Sequence, residues 1–157
     1  MEILLNIGLL IGTIVLMEFV AWFTHKYIMH GLLWVLHKDH HQPHNHSLEK
    51  NDSFFLIYSL PSIILVVLGA ENSFDYRFWI GLGIATYGAL YFFVHDLFIH
   101  QRIKVLRNTN NSYLKALRKA HKIHHKHLGK EHGECFGMLV VPFKYYKEAK
   151  KTVQKNR

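Results

Sequence analysis

HKYIMHGLLWVLHKDHH, residues 25–41, is the stretch that decides the fold, and the chain repeats its pattern once. His25 and His30 form H-x4-H, and His37, His40 and His41 form H-x2-H-H. Further on, HDLFIH (95–100) returns the first pattern with His95 and His100, and HKIHH (121–125) returns the second with His121, His124 and His125. Ten of the fourteen histidines therefore stand in two copies of one arrangement. A shuffled chain of this composition would contain H-x2-H-H about 0.1 times, so two ordered copies are not an accident of abundance. Each box begins at, or lies beyond, the end of an apolar run.

Residues i, i+3 and i+4 share a helix face, so each H-x2-H-H is expected to point three imidazoles the same way. H-x4-H is different. A five-residue step turns about 140° and rises about 7.5 Å. Its two histidines cannot share an ion from a straight α-helix, so either the helix distorts or they serve different ions. Neutral imidazole suits zinc, copper, iron and nickel. Ten nitrogens exceed the needs of one ion; they fit two metals of about five ligands each, with positions left for oxygen or water. The expected ligands are His25, His30, His37, His40, His41, His95, His100, His121, His124 and His125.

Half of the 157 residues are apolar and the net charge is +8. Long uncharged runs alternate with basic polar segments, the pattern of an integral membrane protein. The expected fold is one all-α membrane domain of three to four transmembrane helices with a histidine-box di-metal site. The expected spans are 3–24, 53–70 and 78–94, with boxes over 25–41 and 95–125. The stretch around Trp34, or an interface helix near the C-terminus, is the candidate for a fourth partial or full crossing. Glu18 is the only charge in the spans and lies two turns before His25, placed to orient it; Asp96 is placed to do the same beside His95. Gly81, Ala85 and Ala89 form a small-residue stripe suited to close helix packing. Pro61 interrupts the second span, as membrane helices tolerate.

Between the spans, Pro43 ends any helix near His41. His44 and His46 are read as spare, and His127 and His132 receive no role. Asn51 and Asp52 are placed to cap the second span. Residues 113–128 read as a helix carrying the last box, 138–141 as a brief apolar contact with the membrane, and 143–157 as a basic amphipathic tail suited to an anionic membrane surface. Cys135 is the only cysteine, so no intramolecular disulfide forms, and it reads as a small apolar filler. Glu2 replaces the basic region of a signal peptide, so the first run is expected to remain as an anchor, and no Arg- and Ser-rich transit peptide precedes it, which favours a bacterial source.

Three spans put every box on one face. Eighteen of the nineteen Lys and Arg lie between His25 and Asp52 or after Val94; Arg77 alone lies on the other side. That bias is expected to place the boxes in the cytoplasm, at the bacterial inner membrane. The spans make a nucleic-acid partner improbable despite the charge.

An apolar body carrying an all-histidine, redox-capable metal pair suggests oxidation of an unactivated C–H bond in a lipid. No serine, cysteine or carboxylate pair has hydrolytic spacing. Trp22, Phe23, Phe54, Phe55, Tyr58, Tyr87, Tyr91 and Phe92 are candidates for a dry substrate pocket. A membrane metal carrier is the alternative of another class, but the spans offer it almost no polar path.

These boxes resemble the membrane fatty acid hydroxylase and sterol desaturase superfamily. Met17-Glu18, HKYIMHG (25–31), His40-His41-Gln42-Pro43, Lys50-Asn51-Asp52, TYGALYFFVHDLFIHQR (86–102), AHKIHH (120–125) and GKE…FG (129–137) resemble the bacterial β-carotene hydroxylases within it, over nearly the whole chain. One departure is His44-Asn45-His46, where that family has an arginine and then a small residue. The resemblance implies two irons, O2, and electrons from ferredoxin and an NAD(P)H-dependent reductase. It also implies hydroxylation of the C3 and C3′ ring carbons of β-carotene to give cryptoxanthin and zeaxanthin. A fatty acid, sterol or ketocarotenoid substrate is the alternative within the same chemistry, because fold and motif set the reaction more than the substrate.

Overall fold

A computed structural model describes residues 2–42, 48–104 and 108–155. His44 and His46 lie outside the described residues. The described residues are helical or irregular, with no strand among them. α1 (Glu2–Phe23) runs directly into a first π-helix (Thr24–Leu32), which breaks at Gly31 before α2 (Trp34–His41). A short 3-10 turn (Lys50–Asp52) leads into α3 (Ser53–Glu71), and α4 (Tyr76–Tyr91) continues as a second π-helix (Phe92–Ile99). α5 (Ser112–His124) and α6 (Phe143–Lys155) complete the chain.

Three of these helical stretches are long and apolar enough to cross a membrane: Glu2–Leu32, Lys50–Glu71 and Tyr76–Ile99. They contain the three expected spans. α2, with eight residues, rises only about 12 Å, so the stretch around Trp34 adds no fourth crossing. α4 is the central helix and packs on both α1 and α3. Glycine makes both approaches close. A Cβ on Gly81 would lie 2.8 Å from the Ser62 carbonyl oxygen of α3, and one on Gly83 would lie 2.7 Å from the Thr13 side chain of α1. Ala85 and Ala89 are exposed, so the expected stripe is not the packing face beyond Gly81. Gly83 does the work assigned to the alanines. Ser62 adds a buried hydrogen bond, its hydroxyl donating to the Gly81 carbonyl at 2.8 Å.

The α3–α4 turn is fastened by Asp75, which accepts from the Arg77 N–H at 3.0 Å and pairs with its guanidinium at 2.6 Å. The opposite end of the body gathers the boxes. The C-terminal ends of α1 and α4 and the start of α3 meet there, with α2 and α5 against them. α5 begins on an Asn111 cap that accepts from the Tyr113 and Leu114 N–H groups, and it ends at His124, four residues short of the expected limit.

Two segments differ from expectation. Within 138–141, Met138 is buried with Phe98, Ile99 and Leu117, while Val140 remains exposed. The basic tail does form an amphipathic helix, but Tyr145 and Ala149 on its apolar face are covered by Ala116 and Ala120 of α5. Its lysines remain outside. Cys135 packs beside the same group, as a small filler would.

Candidate metal centre

His25 and His30 lie in the first π-helix; His95 lies in the second, and His100 caps its C-terminal end. The His100 N–H donates to the His95 carbonyl at 2.9 Å, a bond between residues five apart, and the Leu33 N–H does the same to Ile28 at 2.8 Å. Bonding from i to i+5 widens the turn, so residues five apart come onto one face. The His25 and His30 rings lie 5.3 Å apart and the His95 and His100 rings 4.5 Å apart. Of the two alternatives left by the spacing, the helix distorts.

The imidazoles converge in two groups. His25, His30, His37, His41 and His124 form one; His40, His95, His100 and His121 form the other, with the potential ligand atoms of each group within 4.8 Å of one another. His125 lies against the second group. Its ring is 4.5 Å from His121 and 4.8 Å from His100, and it stacks on His41 at 4.4 Å. H-x2-H-H does not aim all three rings at one point, as the shared face suggested. His37 and His41 join the group of the preceding H-x4-H, as does His121, while the i+3 member crosses: His40 to the second group, His124 to the first.

Burial and hydrogen bonding make these rings ligands in waiting. His37 and His124 are 1% and 0% exposed. Burial, reinforced by neighbouring imidazoles, holds His37 and His100 down to about 2, His124 to about 3 and His41 to about 4, and pushes His40, His121 and His125 well below the usual histidine range. These rings are neutral at pH 7. Nδ1 of His25, His30, His41 and His124 donates to the carbonyls of Phe136 (3.0 Å), Lys130 (3.1 Å), His127 (2.9 Å) and Glu134 (2.8 Å). His37 donates to Asn51 Oδ1 at 2.6 Å, His40 to the Glu49 carboxylate at 2.6 Å and His95 to Asp96 at 3.3 Å.

A carbonyl or carboxylate only accepts, so in these seven rings the proton sits on Nδ1 and Nε2 presents a lone pair. Yet the Nε2 atoms face one another. His25–His37 are 3.1 Å apart, His30–His124 3.2 Å, His37–His41 3.2 Å, His41–His124 3.1 Å and His40–His95 3.1 Å. No proton is available to bridge these pairs. Two nitrogens each about 2.1 Å from one ion, at a right angle, would be about 3.0 Å apart, so the spacing is that of neighbouring ligands on a shared cation. Nε2 of His125 is buried with no hydrogen-bond partner, as a further ligand atom would be.

Asp96 lies between His95 Nδ1 (3.3 Å) and Arg102 Nε (3.1 Å). Glu18 does not touch His25. It accepts from the Tyr87 hydroxyl at 2.7 Å and from the N–H groups of Met138, Leu139 and Val140. Asn51 serves His37 rather than capping α3; Asp52 instead accepts from the Glu49 N–H at 3.0 Å in a capping box. Sequence reasoning missed Glu49 altogether, although a carboxylate eight residues beyond a histidine box and next to the Lys50-Asn51-Asp52 motif is a usable signal. His127 contributes only its carbonyl, and His132 is exposed.

Residues 10–143 match the fatty acid hydroxylase family. The chain belongs to that family. It is 42% identical over 130 residues to a β-carotene hydroxylase of Pantoea ananas, which covers 83% of this chain and 74% of the relative. Similar enzymes of Paracoccus sp. (strain PC1) and Pseudescherichia vulneris are 37% and 39% identical, covering 85% and 88% of this chain and 83% and 78% of theirs. No solved structure matches the chain.

Proposed function

We propose that this chain is a di-iron, O2-dependent hydroxylase that converts β-carotene to cryptoxanthin and then zeaxanthin at ring carbons C3 and C3′. The observation that carries the metal reading is the set of facing lone pairs on Nε2 atoms whose other nitrogens are already committed as donors. The substrate reading rests on the β-carotene hydroxylases that cover most of the chain. All ten box histidines are ligands, five to each ion, and Glu49, Asn51 and Asp96 hold ligand rings in the correct tautomer. The whole chain acts as one membrane domain.

The bound irons supply O2 activation, so that C–H, O2, two electrons and two protons give C–OH and water. The chain's own residues supply placement and dryness. Trp34 and Phe136 pack on His30 at 5.2 and 5.1 Å, and Tyr91 packs on His95 at 4.9 Å, closing aromatic walls around both groups. Buried Tyr87 and Phe54 are the enclosed members of the aromatic set suited to a carotenoid ring. Electrons come from an external reduced ferredoxin and its NAD(P)H-dependent reductase, which the basic box-bearing face suits. Arg77 alone at the far end favours a bacterial inner-membrane protein with its boxes in the cytoplasm.

A metal carrier fits poorly. Glu18, the charged side chain within the three-helix body, is bonded to four donors and lines no polar route among the described residues. Expression in a bacterium accumulating β-carotene, with iron and air, tests the proposal by pigment chromatography. Cryptoxanthin and zeaxanthin are the expected products; unchanged β-carotene alongside membrane-embedded, iron-loaded protein contradicts it.

A further inference from the structure

The two imidazole groups are supported in different ways. Four of the five rings in the first group donate to main-chain carbonyls, and all four carbonyls come from one irregular stretch, residues 127–136. Among the described residues the hydrogen bonds of this group run to no carboxylate; its fifth ring, His37, rests on the Asn51 amide. In the second group two rings rest on carboxylates, His40 on Glu49 and His95 on Asp96. Arg102 ties those carboxylates together, with Nε 3.1 Å from Asp96 and a terminal nitrogen 3.4 Å from Glu49 and 2.7 Å from Asp52.

Just beyond its end the irregular stretch is fastened by side chains from two other helices: Tyr113 of α5 donates to the Leu139 carbonyl at 2.6 Å, and Glu18 of α1 takes three consecutive N–H groups. Glu18 Oε1 accepts the N–H groups of Met138, Leu139 and Val140 at 3.0, 2.9 and 2.9 Å, while Oε2 accepts from Tyr87. Gly137 permits the fit, since a Cβ there would lie 3.3 Å from Oε1 and 2.5 Å from the Val140 carbonyl oxygen. The stretch also holds His132 and Cys135 at positive φ (62° and 61°), a conformation that persists only where surrounding contacts impose it.

We propose that the two metal positions are unequal in affinity, and that Glu18 sets the occupancy of the weaker, first position from a distance by latching residues 127–140 over it. Glu18 is thus a positioning residue: it touches no ligand ring, and it acts through the carbonyls that orient four of them. Carboxylate partners raise the basicity of a ligand imidazole more than amide carbonyls do, which favours the second position. Irregular segments also open at lower free energy than helices, which makes the first position the more readily lost. The proposal rests on the two-metal reading above.

The test uses the full chain in lipid nanodiscs, loaded anaerobically with 57Fe(II). Iron per chain is followed during dialysis against a chelator, with Mössbauer spectra at each stage. The wild-type chain should hold two irons and release them in two phases. Glu18→Gln keeps the shape of the side chain and should weaken the first-released iron about tenfold or more, the range seen when partners of ligands are changed. One iron and one of two spectral components should remain, with the slower phase unchanged. Asp96→Asn should move the slower phase instead. Tyr87→Phe, which removes one bond to the latch, should shift the fast phase in the same direction by a smaller factor, and it carries the test if Glu18→Gln fails to fold. Wild-type release rates in both latch variants, or loss of both irons together, overturn the proposal. A wild-type chain that holds a single iron overturns the two-metal reading beneath it, whatever the variants do.

Discussion

The three-helix body and the histidine end of this protein are built on opposite rules. In the body, apolar side chains face outward: Leu4 is 77% exposed, Leu56 67% and Phe19 58%. At the histidine end, imidazoles are inside, with His37 and His124 at most 1% exposed. A water-soluble protein would invert both. The difference shows two solvents at work. Where lipid surrounds the helices, apolar exposure costs nothing and cohesion comes from close approach at Gly81 and Gly83. Where the chain leaves the bilayer, cohesion comes from polar groups with fixed partners, and those groups converge in two histidine clusters that could each hold a metal ion.

Breaking the histidine end should cost most. His40→Ala or His124→Ala, one from each crossing position, should reduce carotenoid hydroxylation to background while the protein stays in the membrane; retained turnover in a pigment assay would contradict the assignment. Deleting Ile28, which shortens the first H-x4-H to H-x3-H, removes the need for the π-helix that pairs His25 with His30. Its expected result is loss of one iron by elemental analysis and of nearly all turnover. Full iron content and activity would show that the widened turn is dispensable. Glu49→Ala or Asn51→Ala should lower iron affinity about 10- to 100-fold, read by chelator competition, because each leaves a ligand ring without its partner.

The body should respond differently. Gly83→Leu drives a side chain into Thr13 of α1 and should destabilise the protein by about 1–3 kcal/mol, seen as a lower midpoint of thermal unfolding, with iron content intact below that midpoint. Ala85→Leu on the exposed face of the same helix should change stability by no more than about 0.5 kcal/mol. Equal effects at the two positions would mean that α4 packs on a face other than the one described.

Much of this contrast is legible in the sequence. Uncharged runs predict the three spans, and the boxes predict which imidazoles gather at one end, because both are patterns of side-chain type along the chain. The H-x4-H spacing even announces its own distortion, since five residues cannot share a face of an ideal α-helix. The division of H-x2-H-H is less visible. Residues i+3 and i+4 both neighbour i, yet consecutive residues point about 100° apart, so His40 and His41 can lie near the same turn and join different imidazole groups. The carbonyl partners from 127–136 leave no trace, since any residue supplies a carbonyl. Glu18 was singled out as a charge within a span, but its bonds to Met138, Leu139 and Val140 join residues 120 and more positions apart, which no local pattern reports. Ala85 and Ala89 looked like packing residues because small side chains suit close helix contacts, but composition does not say which face a neighbour takes.

The measurement that tests the central claim most directly is isotopic. The iron-loaded protein in lipid, with β-carotene, reduced ferredoxin and 18O2, should yield cryptoxanthin and zeaxanthin whose ring hydroxyls carry 18O, one atom per hydroxyl, by mass spectrometry. Hydroxyls that carry only solvent oxygen, or β-carotene recovered unchanged from protein that holds two irons, would contradict an O2-dependent carotenoid hydroxylase built on these ten histidines.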